Sequence, residues 1–188
     1  FAEALPMLRQ SMSSTVRLYG PRSTFVLLQH DALCDLYQES GNYTAAEQQY
    51  KERQALSRQL HGEDSFDYSM GLFNYARLQE MKGDLEAAAP LYRQAMEIRQ
   101  RRLGRSSPVA MRAQIGVGRS LVLQGKLKDA RRELEHSLQG LTSLLPKDAP
   151  ARIEVEQAWA ELLLGEGAIA EAGEVLANVS KPATITLQ

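Results

Sequence analysis

Apolar residues recur along this chain at steps of three and four, the spacing that places side chains on one face of an α-helix. One stretch has Leu33, Leu36 and Tyr37 at these steps, and a second has Leu85, Leu91, Tyr92, Ala95 and Met96. The pattern predicts amphipathic helices through almost the whole chain. Their predicted ranges are about 1–18, 22–40, 43–61, 64–82, 85–103, 107–124, 127–144, 149–164 and 168–179.

Glycines separate these predicted helices at a fixed interval. One series, 42 residues apart, is Gly20, Gly62 and Gly104, and a second series, offset by 21, is Gly41, Gly83 and Gly125. Glycine is favoured after a helix end because it adopts positive φ without strain. Ser107 followed by Pro108 predicts a helix start, since a hydroxyl can cap free N–H groups and proline fits the first turn.

Three further columns of residues keep the same 42-residue step. They are Ala4, Ala46, Ala88, Ala130 and Ala172; Phe1, Tyr43, Leu85, Leu127 and Ile169; and Leu8, Tyr50, Tyr92, Leu134 and Leu176. A repeat of this length predicts an array in which each unit buries its apolar face only by stacking on its neighbours.

The positions of small residues around each turn glycine resemble those of the tetratricopeptide repeat. Seven residues before the turn stand Cys34, Ala76, Gly118 and Ala160, and five after it stand Ala46, Ala88, Ala130 and Ala172. An aromatic residue, Tyr50 or Tyr92, follows nine after the turn. The 42-residue period is similar to the long variant found in kinesin light chains and many bacterial signalling proteins. Two departures are Arg53, where the family usually has alanine, and a last turn with two candidate glycines, Gly165 and Gly167.

The resemblance covers residues 1 to about 179 and implies an all-α fold, a right-handed α-solenoid (superhelix) of antiparallel helix pairs with about nine helices. The predicted organisation is a half repeat, 1–20, then pairs at 21–62, 63–104, 105–146 and 147–179, and an extended or loose tail at 180–188. Because the array opens inside a repeat, we expect the chain to be part of a longer polypeptide.

Composition excludes several protein classes. Apolar residues make up 44% and charged residues 24%, which argues against global disorder. No stretch reaches 18 consecutive apolar residues, so we expect no membrane insertion. The first ten residues lack the features of a signal peptide. The single cysteine, Cys34, excludes an internal disulfide framework and favours a cytoplasmic location.

Candidate chemistry is sparse. His30, His61 and His136 lie in different repeats without metal-ligand spacing, and one cysteine cannot complete a metal set. The column of Cys34 otherwise holds alanine and glycine, which indicates a packing position. The sequence therefore predicts no enzyme, no catalytic residue, no metal site and no cofactor.

Charge is unevenly distributed. The window from Arg93 to Arg132 holds eleven Lys/Arg against two acids, although the whole chain has a net charge of −1. A possible basic docking face comprises Arg99, Arg101, Arg102 and Arg105. Three interpretations remain: helix-end cations that suit the dipole, a solvated face, or a surface for an acidic protein partner. Nucleic acid is disfavoured because the window lacks interleaved aromatic residues.

The resemblance also implies a partner-binding groove, formed by the first helix of each pair. Carried over by register, its main residues are Asp31, Asp35, Phe73, Asn74, Arg77, Arg112, Ile115 and Arg119, with Gln38, Glu39, Met70 and Met81 beside them. Asn74 corresponds to an asparagine that, in many relatives, bonds a bound peptide's backbone. In the alternative interpretation, Met70 and Met81 belong to the core and Phe73 alone is exposed.

These observations predict a protein–protein interaction module of a larger signalling or regulatory protein. The partner would be a protein or peptide with an apolar anchor and acidic flanks, bound in the groove. The alternative is a ligand- or peptide-sensing regulatory domain that controls an attached output domain, such as a kinase or a DNA-binding domain.

Overall fold

A computed structural model describes residues 3–179 of the chain. These residues form nine α-helices and no β-strand, as the hydrophobic spacing predicted. The helices are α1 (Ala4–Tyr19), α2 (Thr24–Glu39), α3 (Tyr43–His61), α4 (Phe66–Met81), α5 (Leu85–Leu103), α6 (Pro108–Leu123), α7 (Leu127–Leu144), α8 (Pro150–Gly165) and α9 (Ile169–Val179). Phe1 and the tail predicted at 180–188 lie outside the described residues.

The described residues fall into two compact units, an N-terminal unit that ends at Leu91 and a C-terminal unit that begins at Tyr92, so the boundary lies inside α5. In the N-terminal unit α1 packs on α2, α2 on α3, and α3 on α4. In the C-terminal unit α6 packs on both α7 and α8, α7 on α8, and α8 on α9. Packing between consecutive helices is the all-α repeat architecture that the 42-residue period requires.

Small residues lie where the two helices of a pair meet. All of them are buried, at 0% or 1% exposure where a value is given: Cys34, Ala76, Gly118 and Ala160 before the turns, and Ala46, Ala88, Ala130 and Ala172 after them. In the third pair, a Cβ placed on Gly118 would lie 2.5 Å from Leu134 Cγ. That distance is shorter than real carbon contacts, so a larger residue at position 118 would force Leu134 to shift in the packing of α6 on α7.

The turn glycines adopt the backbone conformation that the spacing indicated. Both series have positive φ, and Gly167, with φ of +82°, continues the second series one step beyond Gly125. Gly165 is the last residue of α8, so Gly167 is the turn glycine of the fourth pair. One expectation is wrong in detail: Ser107 precedes α6, but its side chain makes no capping hydrogen bond.

A cluster of apolar residues in the N-terminal unit shows what the small positions make possible. Leu33 and Cys34 of α2 pack with Ala46 and Tyr50 of α3 and with Leu78 of α4. The Cys34 thiol lies 3.9 Å from the Ala46 carbonyl oxygen, so the two helices almost touch there. Burial raises the pKa of this thiol, which keeps it neutral and fits a packing role.

Replacing Ala46 with leucine should destabilise the protein by roughly 1–3 kcal/mol, because three additional carbons have no space between α2 and α3. The matched control is Ala55→Leu, which makes the same change on the exposed side of α3. Thermal unfolding of both variants measures the difference. If Ala46→Leu unfolds at the same temperature as Ala55→Leu, the pairing of α2 with α3 described here is wrong.

Candidate functional site: a cleft in the N-terminal unit

A polar cleft of about 370 Å³ opens on the N-terminal unit. Its walls come from α2 and α4, which are the first helices of two successive helix pairs, and α3 contributes one side chain. The lining residues are Asp35, Gln38, Glu39, Tyr50, Asn74, Arg77 and Met81. Positions three or four apart share a helix face, which explains why the α2 and α4 residues point into one space.

Three of the predicted groove residues, Asp35, Asn74 and Arg77, meet in this cleft. Gln38, Glu39 and Met81, which the register also placed in the groove, join them there. The Met81 side chain is 51% exposed, so it offers apolar surface to a partner. Met81 is therefore not a core residue, contrary to the alternative interpretation.

Two other predicted groove residues are in the core. Phe73 is 8% exposed and Ile115 is 3% exposed, so neither offers a side-chain surface to a partner. The prediction that Phe73 is the exposed apolar anchor is thus corrected, since the α4 backbone turns Asn74 and Arg77 outward and Phe73 inward. Phe73 and Ile115 belong to one 42-residue column, and both extend the apolar core.

The electrostatics of the cleft centre on Asp35. Burial raises the pKa of this carboxyl group, and the negative charges of Asp31 and Glu39 raise it further. The positive charge of Arg77 acts in the opposite direction without reversing the shift. Asp35 therefore lies in a site whose local field disfavours additional negative charge.

Tyr50 is the site residue that the sequence did not identify. Its ring is 3% exposed and stacks on Tyr75, with 5.8 Å between ring centroids. Its hydroxyl accepts a hydrogen bond of 2.8 Å from Gln38 Nε2, and burial raises the pKa of that hydroxyl. Its column also holds Tyr92, Leu134 and Leu176, so the sequence pattern did not distinguish Tyr50 from an aromatic residue that only fills space.

Asp31 is one helical turn before Asp35 and is bound within the fold. Its Oδ1 accepts a 2.5 Å hydrogen bond from Nε of Arg53, a guanidinium that is only 1% exposed. Arg53 also donates to Asp67, through Nη2 to Oδ1 at 3.1 Å and through Nη1 to the main-chain oxygen at 3.3 Å. The Ser57 hydroxyl donates to the other Asp67 oxygen. Asp31 therefore supports Arg53, and it does not line the cleft.

The buried Arg53 network connects α2, α3 and α4. Burial alone would raise the pKa of Asp67, but the Ser57 hydrogen bond and the Arg53 charge outweigh it and lower that pKa. Glycine at 71 makes room, because a Cβ there would lie 2.6 Å from Arg53 Nη1. In the next repeat, the positions of Asp31, Arg53, Asp67 and Gly71 hold Phe73, Ala95, Val109 and Ala113. The departure at Arg53 is thus one member of a set of four exchanged residues.

The two groove arginines of the C-terminal unit form ion pairs with residues one repeat later in the sequence. Arg112 binds Glu154, with Nε to Oε2 at 2.6 Å, and Arg119 Nε lies 3.2 Å from Glu161 Oε2. In both pairs the partners are 42 residues apart, so they link α6 to α8. A carboxylate of a bound partner would have to compete with Glu154 and Glu161 for these guanidinium groups.

A second type of ion pair joins residues 35 apart in sequence. In one such pair the acidic residue comes first, and in the other the basic residue comes first. Lys82 Nζ lies 2.5 Å from Glu47 Oε2, and two repeats later Arg131 pairs with Glu166. Hydrogen bonds from Lys51, Lys82 and Tyr75 lower the pKa of Glu47 to about 2. These pairs connect the second helix of one pair to the end of the first helix of the next. Both pairs therefore connect the same two positions of the repeat, with the acidic and basic residues exchanged.

The predicted basic docking face loses one member. Arg99 is 4% exposed, and its Nη1 donates to the Val109 carbonyl oxygen at 3.3 Å. Burial, together with the nearby charge of Arg112, lowers the pKa of Arg99 to about 10. Arg101, Arg102 and Arg105 are exposed at the end of α5 and in the loop that follows. We therefore restrict the term "basic face" to these three residues.

Within residues 3–179 there is no group of three or more histidine, cysteine or acidic residues able to hold a metal ion. Across the same residues, no helix has both the length and the apolar character needed to cross a membrane.

Comparison with known families and structures supports the repeat architecture. A family model described as "Tetratricopeptide repeat" matches residues 25–101 and 83–143, which together span more than half of the chain. The chain is similar to the solved structure of "Podosopora anserina putative kinesin light chain nearly identical TPR-like repeats", with 20% identity and a TM-score of 0.75. That match covers 95% of this chain and 84% of the other.

A second similar structure is BtubC (BKLC) from P. vanneervenii, with 17% identity and a TM-score of 0.74. The match covers 100% of this chain and 80% of the BtubC chain. At these identities the likeness establishes the fold. A comparison with curated proteins finds no match.

Replacing Arg53 with methionine should destabilise the protein by about 3–5 kcal/mol, because it leaves Asp31 and Asp67 with no buried cation. The control is Arg58→Met on the same helix. Arg58 is 66% exposed and pairs with Glu63 at the surface, so its loss should cost less than about 1 kcal/mol. Urea unfolding of both variants measures the two costs, and equal costs would contradict the role given to the buried network.

Proposed function

The chain belongs to the tetratricopeptide repeat family, and we propose that it acts as a protein–protein interaction module holding a peptide segment of its partner in the cleft of the N-terminal unit. Repeat arrays of this kind present extended binding surfaces built from successive helices. The observation that carries the proposal is the meeting of Asp35, Asn74 and Arg77 around one open cleft.

Asn74 is suited to bind a peptide main chain. Its amide group offers two N–H donors and one acceptor, which complement the carbonyl and N–H of an extended peptide. Among residues 3–179, no side-chain hydrogen bond occupies the Asn74 amide, whereas the neighbouring Gln38 amide is held by Tyr50. A free amide next to a fixed one is the arrangement expected where a ligand completes the hydrogen bonding.

Met81 supplies the apolar part of the proposed site. Its thioether side chain is flexible and polarizable, so it adapts to differently shaped apolar groups. It is half exposed at the C-terminal end of α4, on the rim of the cleft. An apolar anchor on the partner would gain contact area there without any change in the core.

We propose a binding role and not a catalytic one. The groups that could act as nucleophiles near the cleft are held neutral, because burial raises the pKa values of both Cys34 and Tyr50. A place within a larger signalling or regulatory protein, a cytoplasmic location and the alternative ligand-sensing role remain predictions from the sequence.

The basic face is a second proposed contact, for an acidic segment of a protein partner. Arg101, Arg102 and Arg105 are exposed, and Leu103 between them is 46% exposed, which adds an apolar contact. Positive charges grouped in this way accelerate association with an acidic surface at low salt. The arginines of the C-terminal groove, Arg112 and Arg119, are bound by Glu154 and Glu161.

Peptides selected from a random display library on the wild-type protein should bind Asn74→Ala more weakly by about 1–3 kcal/mol, the cost of an unmade hydrogen bond. Met81→Ser should weaken them as well, and the exposed Asn178→Ala on α9 should leave affinity unchanged. Titration calorimetry with unchanged circular dichroism measures these effects. Selected peptides that bind both cleft variants with wild-type affinity would exclude the cleft as the binding site.

Reversing Arg101, Arg102 and Arg105 together to glutamate should slow association with a fluorescent polyglutamate peptide. Raising salt from about 0.01 M to about 0.15 M should slow the wild-type protein in the same way, because the screening length falls from about 30 Å to about 8 Å. The control reverses Arg17, Arg22 and Arg58, three exposed arginines of the N-terminal unit. Stopped-flow rates that are equal for the two triple variants would exclude the basic face as a docking surface.

A further inference from the structure

The charge balance of the cleft indicates which kind of peptide it would accept. Two carboxylates, Asp35 and Glu39, line it one helical turn apart on α2. The lining contains one cation, Arg77, so the formal charge of the cleft is −1. This inference rests on the proposed peptide-binding function and concerns the chemistry of the ligand.

Both carboxylates are available, in contrast to the acid before them. Asp31 stands at the same helical spacing but is bound by the buried Arg53. Asp35 and Glu39 have neither a hydrogen bond nor an ion pair to any other side chain among residues 3–179. Like charges four residues apart destabilise a helix slightly, and Arg77 is the one cation in the cleft lining that offsets this pair.

A second observation, independent of the acids, also indicates a ligand. The Tyr50 hydroxyl accepts its hydrogen bond from Gln38, which leaves its own proton without an acceptor among the described residues. The ring is buried and stacks on Tyr75, which fixes the hydroxyl at the wall of the cleft. A buried O–H that borders a cleft is satisfied when a ligand places an acceptor, such as a peptide carbonyl, within reach.

We infer that the cleft binds a peptide segment carrying a lysine or arginine, whose cationic head pairs with Asp35 and Glu39 while a main-chain carbonyl accepts from Tyr50. The stem of such a side chain is apolar and packs on Met81. Arg77 opposes the cation and limits its affinity. This ligand has the charge opposite to that of the acidic segment expected from the sequence. That expectation assumed that all groove arginines are available to a partner.

The test uses four short alanine–serine peptides that differ in one central residue: lysine, arginine, glutamate or norleucine. Binding is followed by the amide NMR signals of the full chain. We expect the lysine and arginine peptides to bind about tenfold more tightly than the glutamate peptide, with shifts in α2 and α4 around the cleft. Comparison of the lysine and arginine peptides shows which head group the site prefers.

Three variants identify the groups involved. Asp35→Asn and Glu39→Gln should each reduce the preference for the basic peptides, and Arg77→Gln should increase it. The control Glu86→Gln removes an exposed acid from α5 and should change nothing. Because Asp35→Asn and Glu39→Gln relieve repulsion between like charges, both variants should fold at least as stably as the wild-type protein.

The outcomes separate this inference from the proposed function. Equal or tighter binding of the glutamate peptide at the cleft overturns the inference and leaves the cleft as a peptide site. Absence of shifts with all four peptides also overturns it. NMR shifts that map only outside α2 and α4 overturn the inference. The proposed function is also contradicted if, in addition, the peptides selected from the library bind Asn74→Ala as tightly as the wild-type protein.

Discussion

The close approach of paired helices is the constraint on which the remaining structure depends. Each pair has small residues on both sides of its turn, such as Cys34 and Ala46, and these positions have almost no exposed surface. Because the interior is close-packed, these positions have no room for larger side chains. Each helix then has a fixed neighbour, and the side chains of successive first helices fall into register. The cleft between α2 and α4 is a consequence of that register.

Where the chain departs from its own repeat, several residues change together. Arg53 replaces a small residue, and the charge it brings inside is balanced by Asp31 and Asp67, with Gly71 leaving room for it. A buried ion pair seldom adds net stability, so its value lies in fixing how α2, α3 and α4 meet. The pair of Glu47 with Lys82 and its counterpart with reversed charges, Arg131 with Glu166, also change together, although both pairs are partly exposed.

The sequence predicted the helices and their turns because periodicity and glycine spacing are local signals. It also named six of the seven residues that line the cleft, because Asp35 and Arg77 occupy one 42-residue column and Asn74 lies one turn before Arg77 on α4. It was wrong about Phe73, Ile115 and Arg99, which are buried, because register specifies a column but not how far a helix is rotated into the core. Ion pairs over 42 residues, such as Arg112 with Glu154, involve different repeats and leave no local pattern.

The most direct test of the account exchanges four positions around Arg53 for the residues of the next repeat: Asp31→Phe, Arg53→Ala, Asp67→Val and Gly71→Ala in one protein. Urea unfolding then compares this fourfold variant with Arg53→Ala alone. If the 42-residue register determines which residues can occupy the core together, the fourfold variant recovers most of the stability that Arg53→Ala loses. A fourfold variant that is less stable than Arg53→Ala would contradict the account, because the four positions would then not act as one set.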